Sequence, residues 1–283
     1  MVVEEVISEQ VQEESLDTFF KKASEIKTTA KLKILVWGEQ GLGKSFFALS
    51  FPEPVYVLCT EPQAVSPLLV HFPDKDIRIV ELADEYTDAP VKKQTGKADD
   101  SVGANDPEVF LRKFEKGVNL LKDIQEGTIV LDSVTDLWDN FVAWIEYNAD
   151  KYTQSGQMMR TEWGKVNNKY KNLLNKLQSR PVHFVMTARS ENVYAEGGRE
   201  TTQKKMSGQK KTPYIPHVIM QIKKQPKPKV ENGKVVSTTV STVGVIEKAR
   251  GFDESALGVT IERPTFDKLK EAIGDKGSTE MFS

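Results

Sequence analysis

Apolar positions along the chain fall into two kinds of run. Continuous apolar stretches of strand type occur at KILVW (33–37), VYVLC (55–59), IRIVEL (77–82), TIVLD (128–132) and VHFVMTA (182–188). Between them, apolar residues recur at helical spacing in SFFAL (45–49), PEVFLRKFEKGVNLLKDI (107–124), LWDNFVAWIEYNADKY (137–152) and WGKVNNKYKNLLNKL (163–177). Strands without polar alternation are buried on both faces, and helices alternating with them cover a parallel sheet. After residue 216 the pattern changes. VIMQIKK, PKPK, ENGK and VVSTTVSTVGVIEKA predict two antiparallel strands joined across Asn232-Gly233. The expected fold class is therefore α/β, with a mainly parallel central sheet, helices on both faces and a C-terminal antiparallel hairpin extension.

Residues 1–28 read as an acidic tail with a short amphipathic helix at LDTFFKKASEI, 29–274 as one domain, and 275–283 as a flexible C-terminal tail. The polar stretch 87–106 reads as a surface excursion. At 283 residues, 39% hydrophobic and 28% charged, the chain is an ordinary globular protein rather than a disordered or fibrous one. Its formal net charge of −2 hides a segregation. Residues 1–30 carry seven acids against three lysines, 81–108 eight acids against three lysines, and 189–234 eleven bases against four acids. Sorting of this kind fits an anionic partner on one face, and equally fits solvated loops of either sign. The single cysteine, Cys59, has no internal partner, which favours a reducing compartment. With no long apolar run and no basic-then-apolar leader, the expectation is a cytoplasmic protein without a membrane span.

The stretch GEQGLGKS follows the first strand and opens a helical pattern. Gly38, Gly43, Lys44 and Ser45 satisfy G-x-x-x-x-G-K-[ST]. Glycines let backbone N–H groups converge on one anion without side-chain obstruction, and the following helix points its positive end at the phosphates. Gly38, Glu39, Gln40, Gly41, Leu42, Gly43, Lys44, Ser45 and Phe46 are the expected nucleotide cradle. Lys44 would bring charge to the β/γ oxygens, and Ser45 a hydroxyl to Mg²⁺. The expected cofactors are ATP and Mg²⁺.

A second acid has to help hold that metal. Asp132 closes the buried run TIVLD and is the candidate, the alternative being a cap for the following helix. Asp132 is followed by Ser133 and Val134 rather than by Glu, so a water-activating base must come from elsewhere. Glu61, at the tip of the strand after the P-loop helix, is placed to reach a water in line with a γ-phosphate. It could also be a surface acid before Pro62. NNKYK (167–171) has no Asp after its Asn-Lys, which argues against guanine specificity.

GEQGLGKS, FPEPVYVLCTEP, TIVLDSVTDLW, EWGKVNNKYKNLLNKL and HFVMTAR together resemble the phage and archaeal-virus branch of RecA-like P-loop ATPases, over about residues 30–273. Some members of that branch are single-strand-annealing or recombination proteins. The resemblance implies a RecA-like P-loop NTPase fold, Glu61 as catalytic glutamate and Thr187 as a polar sensor beside Asp132, with Arg189 close behind. Lys248 and Arg250 in VIEKARG are similar to the K-x-R that KaiC-type members project into a neighbour's nucleotide, which implies a ring or filament. An added cation there can be worth about 10³–10⁵ in rate. Both residues could equally be solvent-facing charges at a strand end. If the protein is viral, the compartment is the host cytoplasm.

The segment after the sensor strand, RENVYAEGGRETTQKKMSGQKKTPY, reads as a glycine-punctuated loop where RecA-like proteins place a DNA contact. Lys204, Lys205, Lys210 and Lys211 would neutralise phosphates, and Tyr194 or Tyr214 could stack on a base. Lys223, Lys224, Lys227 and Lys229 could extend that surface, while a solvated loop remains the simpler alternative. Expected partners are single-stranded DNA, further copies of the chain, and a single-strand-binding or replication protein. His71, His183 and His217 are scattered and suggest structural roles. Two other functions stay open: a nucleotide-dependent switch without turnover, and a KaiC-like or packaging ATPase acting on a protein.

Overall fold

The computed structural model describes residues 20, 31–83, 106–147, 160–196, 198–231, 234–277 and 279–282. Save for Phe20 and Asp106, the expected N-terminal tail, the 87–106 excursion and the Asn232-Gly233 turn lie outside them. The strands are β1 (Lys33–Gly38), β2 (Val55–Cys59), β3 (Ile77–Glu81), β4 (Thr128–Asp132), β5 (His183–Tyr194), β6 (Glu200–Met206), β7 (Val218–Glu231), β8 (Lys234–Ala249) and β9 (Thr260–Glu262). The α-helices are α1 (Lys44–Leu49), α2 (Pro107–Leu120), α3 (Val134–Tyr147), α4 (Arg160–Gln178) and α5 (Phe266–Ile273).

The sheet runs β3-β2-β4-β5-β1-β7-β8-β9, with β6 paired off the path to β5. From β3 to β7 every pairing is parallel; β8 and β9 then add on antiparallel. The expectation of a mainly parallel sheet with an antiparallel C-terminal extension is met.

Alternation within β1 explains its unbroken apolar run. Leu35 and Trp37 enter one core with Phe110, Phe114, Phe141, Leu174 and Phe184, whereas Ile34 and Val36 enter the other with Phe47, Phe266 and Leu269. Helices α2, α3 and α4 thus cover one face, and α1 and α5 the other. Local signals set the helix starts: Asp106 accepts from the Glu108 amide ahead of Pro107, and Thr265 accepts from the Lys268 amide. In the second core Phe51 lies 4.7 Å from Phe266, centroid to centroid. Such aromatic pairs contribute about 0.5–1.5 kcal/mol beyond the area they bury.

Two expectations need correction. The stretch after Thr187 is a β-hairpin rather than a loop. β5 continues to Tyr194, and β6 folds back on it with Ser190 opposite Met206 and Glu191 opposite Lys205. Its polar, both-sides-wet sequence carries no buried face, so periodicity gave no strand signal. The chain end also differs from a free tail. Residues 274–276 and 279–282 form 3-10 turns, Met281 and Phe282 are buried, and the Met281 carbonyl accepts from the Leu32 amide at 3.1 Å. A short apolar pair has room there beside Phe252 and Phe266.

At the base of β1, Lys33 is buried and its ammonium donates to the carbonyls of Arg180 and Val182. Burial pushes its pKa down to about 8 from 10.5. Between those values the unfolded chain holds a proton that the folded chain has released, so this residue's contribution to stability rises with pH. Denaturant unfolding of wild type and Lys33→Met checks it. The difference should move towards the wild type by on the order of 3 kcal/mol as the pH climbs through that window. A pH-independent difference would contradict the assignment.

Candidate nucleotide site

β1 ends at Gly38 and the chain turns through Glu39–Gly43 into α1. A Cβ on Gly38 would stand 2.2 Å from the Ile222 carbonyl oxygen of β7, so the first motif glycine is demanded by its neighbour strand. Gly43 caps α1 at φ 86, a backbone that side-chain-bearing residues rarely adopt. Lys44 Nζ folds back onto the loop, donating to the carbonyls of Gly38 (3.0 Å) and Glu39 (2.7 Å). Desolvation lowers its pKa, and the carboxylates of Asp132 and Glu61 oppose that.

Strand order brings the acids to this loop. β5 separates β1 from β4, with Thr187 opposite Val36 and Met186 opposite Leu131. The buried Thr187 hydroxyl therefore donates to Asp132 Oδ1. Asp132 Oδ2 is buried and has no hydrogen-bond partner among the described residues. β2 lies on the other side of β4, with Cys59 opposite Asp132. Just beyond it, Thr60 latches the two strand ends: its amide and hydroxyl donate to the Asp132 carbonyl at 2.7 and 2.9 Å, and its oxygen accepts from the Ser133 amide at 2.6 Å. Glu61 follows directly. Cys59 beneath it is buried, its thiol pushed up to about 11 by desolvation and by Asp132, which leaves it protonated and unreactive.

Gln40, Gly41, Gly43, Lys44, Ser45, Phe46, Glu61, Asp132 and Arg189 line one cleft of about 380 Å³, with Ala64 and Leu68 as an apolar wall. Gly38, Glu39 and Leu42 line a smaller neighbouring cleft instead. Clefts of about 640 and 490 Å³ exist elsewhere, but neither contains the loop. The donor set fits a nucleotide with Mg²⁺. The unpartnered Asp132 Oδ2 and the Ser45 hydroxyl are the right hard oxygens, and nothing stands within 4 Å of a Cβ placed on Gly41 or Gly43, so the loop forms an open cradle.

Sequence reasoning underrated two residues. Arg189 pairs through Nη2 with Glu61 Oε1 and, at 2.8 Å, with Asp136 Oδ1. Asp136 also accepts from the Ser133 hydroxyl. Burial raises its pKa, while Ser133 and Arg189 pull the other way. Arg189 is held through its main chain too: its amide donates to Thr135 Oγ1 at 3.0 Å, and its carbonyl accepts from the Ser207 amide at 2.8 Å. Asp136, in the first turn of α3 and four residues after the strand-end Asp132, was the available signal.

The other expected residues disperse. Lys248 Nζ donates to the Pro213 and Pro216 carbonyls, both at 2.8 Å, and Arg250 lines the 640 Å³ cleft between α4 and residues 209–215. Both lie near Val218, at the end of β7 remote from Gly38, so neither serves the loop of its own chain. Lys204 and Lys205 sit on the β5–β6 hairpin, paired with Glu39 (3.6 Å) and Glu191 (3.0 Å). Lys211 lines the α4 cleft, and Lys210 is an exposed residue before it.

No helix among the described residues is long and apolar enough to cross a membrane. Among solved structures the chain is similar to a RadB recombinase, at 13% identity over 86% of this chain and 89% of that one, with a TM-score of 0.43. It is also similar to an ATPase from the type III secretion system of pathogenic bacteria, at 14% identity over 69% of this chain and 53% of that one, with a TM-score of 0.38. No curated protein matches it. The architecture is the mainly parallel α/β sheet with an antiparallel C-terminal extension expected from the sequence. The sequence model of the AAA domain matches residues 30–250, a span that takes in the sheet from β1 through β8 and every residue of the cleft, so the chain belongs to that family and is a P-loop ATPase.

Proposed function

We propose that this ATPase works on DNA, in recombination, single-strand annealing or replication, as a RecA-like protein of the phage and archaeal-virus branch that assembles into a ring or filament. The reading takes 29–274 as the working domain. One observation carries it: Arg189, which clasps the candidate base Glu61, lies in β5 at the root of the lysine-bearing β5–β6 hairpin, and its carbonyl accepts from the Ser207 amide just past the end of β6. A contact on the hairpin is thereby wired to the hydrolytic site.

In this reading Lys44 and the loop amides hold the phosphates of ATP. Ser45 and Asp132 would hold Mg²⁺, which would supply charge neutralisation when bound. Thr187 fixes the orientation of Asp132 by holding one carboxylate oxygen and leaving the other free. Glu61, once released from Arg189, accepts a proton from the attacking water as the bond to the γ-phosphorus forms and the bond to the β-γ bridging oxygen breaks. Lys248 and Arg250 belong to a subunit contact, where Arg250 is free to reach a neighbour and Lys248 must first leave its two carbonyls.

ATP turnover measured with and without single-stranded oligonucleotide, at low and at higher salt, tests this. Stimulation that fades with salt is expected, because phosphate contacts release counterions. Lack of stimulation by any DNA or RNA at low salt would remove DNA from the reading and leave a protein as the substrate.

A further inference from the structure

β7 pairs with β1 only from Val218 to Ile222, whereas its pairing with β8 runs on to Glu231 opposite Lys234. Beyond the sheet the two strands therefore continue as a ribbon. Residues 223–228 and 237–240 are all exposed, Val240 at 62%, so among the described residues nothing covers either face of this part of the ribbon. A two-stranded ribbon open on both faces is marginal by itself. Its sequence between 223 and 234 holds five lysines and one acid, Glu231. Lys223 and Lys224 form no ion pair among the described residues, and Lys227 is paired with Glu262 at 2.5 Å.

The base of this ribbon stands next to the other one. Lys223 and Lys224 line the same cleft of about 210 Å³ as Lys204 and Ser190 of the β5–β6 hairpin, with Gly38 and Glu39 of the P-loop as its floor. The lysines expected to act together are thus regrouped. Lys204 shares its cleft with β7, while Lys211 belongs to the separate cleft against α4.

We propose that the two ribbons are the jaws of a groove that holds a single strand of nucleic acid, its phosphates running from Lys204 past Lys223 and Lys224 and out along Lys227. The partner class rests on the DNA reading above. The groove itself rests on the juxtaposition of these lysines and on the open faces of the arm. Its charge selects a polyanion, and its volume of about 210 Å³ is of the order of one sugar–phosphate unit. The contacts are to phosphate, so binding tolerates any sequence.

The test measures affinity for fluorescent oligothymidylate and for a blunt duplex between about 50 and 200 mM salt. It uses wild type, Lys223→Gln/Lys224→Gln/Lys227→Gln, and Lys210→Gln/Lys211→Gln. The arm variant should lower the slope of log K against log salt by about 2, since each lost single-strand phosphate contact removes about 0.7. The Lys210/Lys211 variant should keep the wild-type slope. A thermal midpoint equal to wild type checks folding, and the corresponding triple arginine variant, which keeps the charge, should retain both slope and affinity. A wild type that binds, with an unchanged slope in the arm variant, overturns the groove and leaves the DNA reading standing. Tighter binding of duplex than of single strand overturns the single-strand assignment. A wild type that binds neither overturns both.

Discussion

Replacing Glu61 with Gln should lower ATP turnover by about 10²–10⁴-fold while nucleotide binding is retained, the range expected when a positioned general base is lost. Glu61 shares a cleft with Lys44 and Asp132, and Asp132 is not followed by a second acid that could take over. Gln keeps the shape and can still accept a hydrogen bond from Arg189, but it cannot take a proton. The ion pair it gives up is half-exposed, worth about 0–1 kcal/mol, so the fold should be unaffected. Turnover at saturating ATP, with binding followed by a fluorescent analogue, separates the two effects. Wild-type turnover in the variant would remove Glu61 from the chemistry, and absence of turnover in both proteins would make the protein a switch.

Lys44→Ala should instead damage binding and turnover together, lowering kcat/KM by about 10²–10³-fold, as for loss of one preorganised donor to developing charge. The ammonium bridges two loop carbonyls, Gly38 and Glu39, and so pre-shapes the cradle that a phosphate would enter. Desolvation lowers the pKa of that ammonium and Arg189 adds to the effect, while Asp132 and Glu61 oppose it. Calorimetry with magnesium present gives the affinity. An unchanged Kd in the variant would mean that the loop does not grip phosphate through this lysine.

Much of this was legible in the sequence because burial writes itself into periodicity. The runs at 33–37, 55–59 and 128–132 are strands with nearly those bounds, since both faces are packed and polar residues are confined to their ends and to Tyr56. The P-loop was legible for a different reason: Gly38 and Gly43 answer to a close approach and to a left-handed backbone, which few other residues satisfy. What escaped is wet or depends on distant partners. β6 has no buried face to betray it, and β9 is three residues long. The Arg189–Glu61 pair joins positions 128 residues apart, so no local pattern announces it. The grouping of Lys204 with Lys223 and Lys224, rather than with Lys211, likewise depends on where two ribbons leave the sheet.

Arg189 holds Glu61 with its guanidinium and the hairpin with its backbone. Thermodynamic linkage makes such a double attachment run in both directions. Under the proposed function, the factor by which a polyanion on the hairpin would loosen the guanidinium is the factor by which a nucleotide that loosens it would tighten the grip on the polyanion.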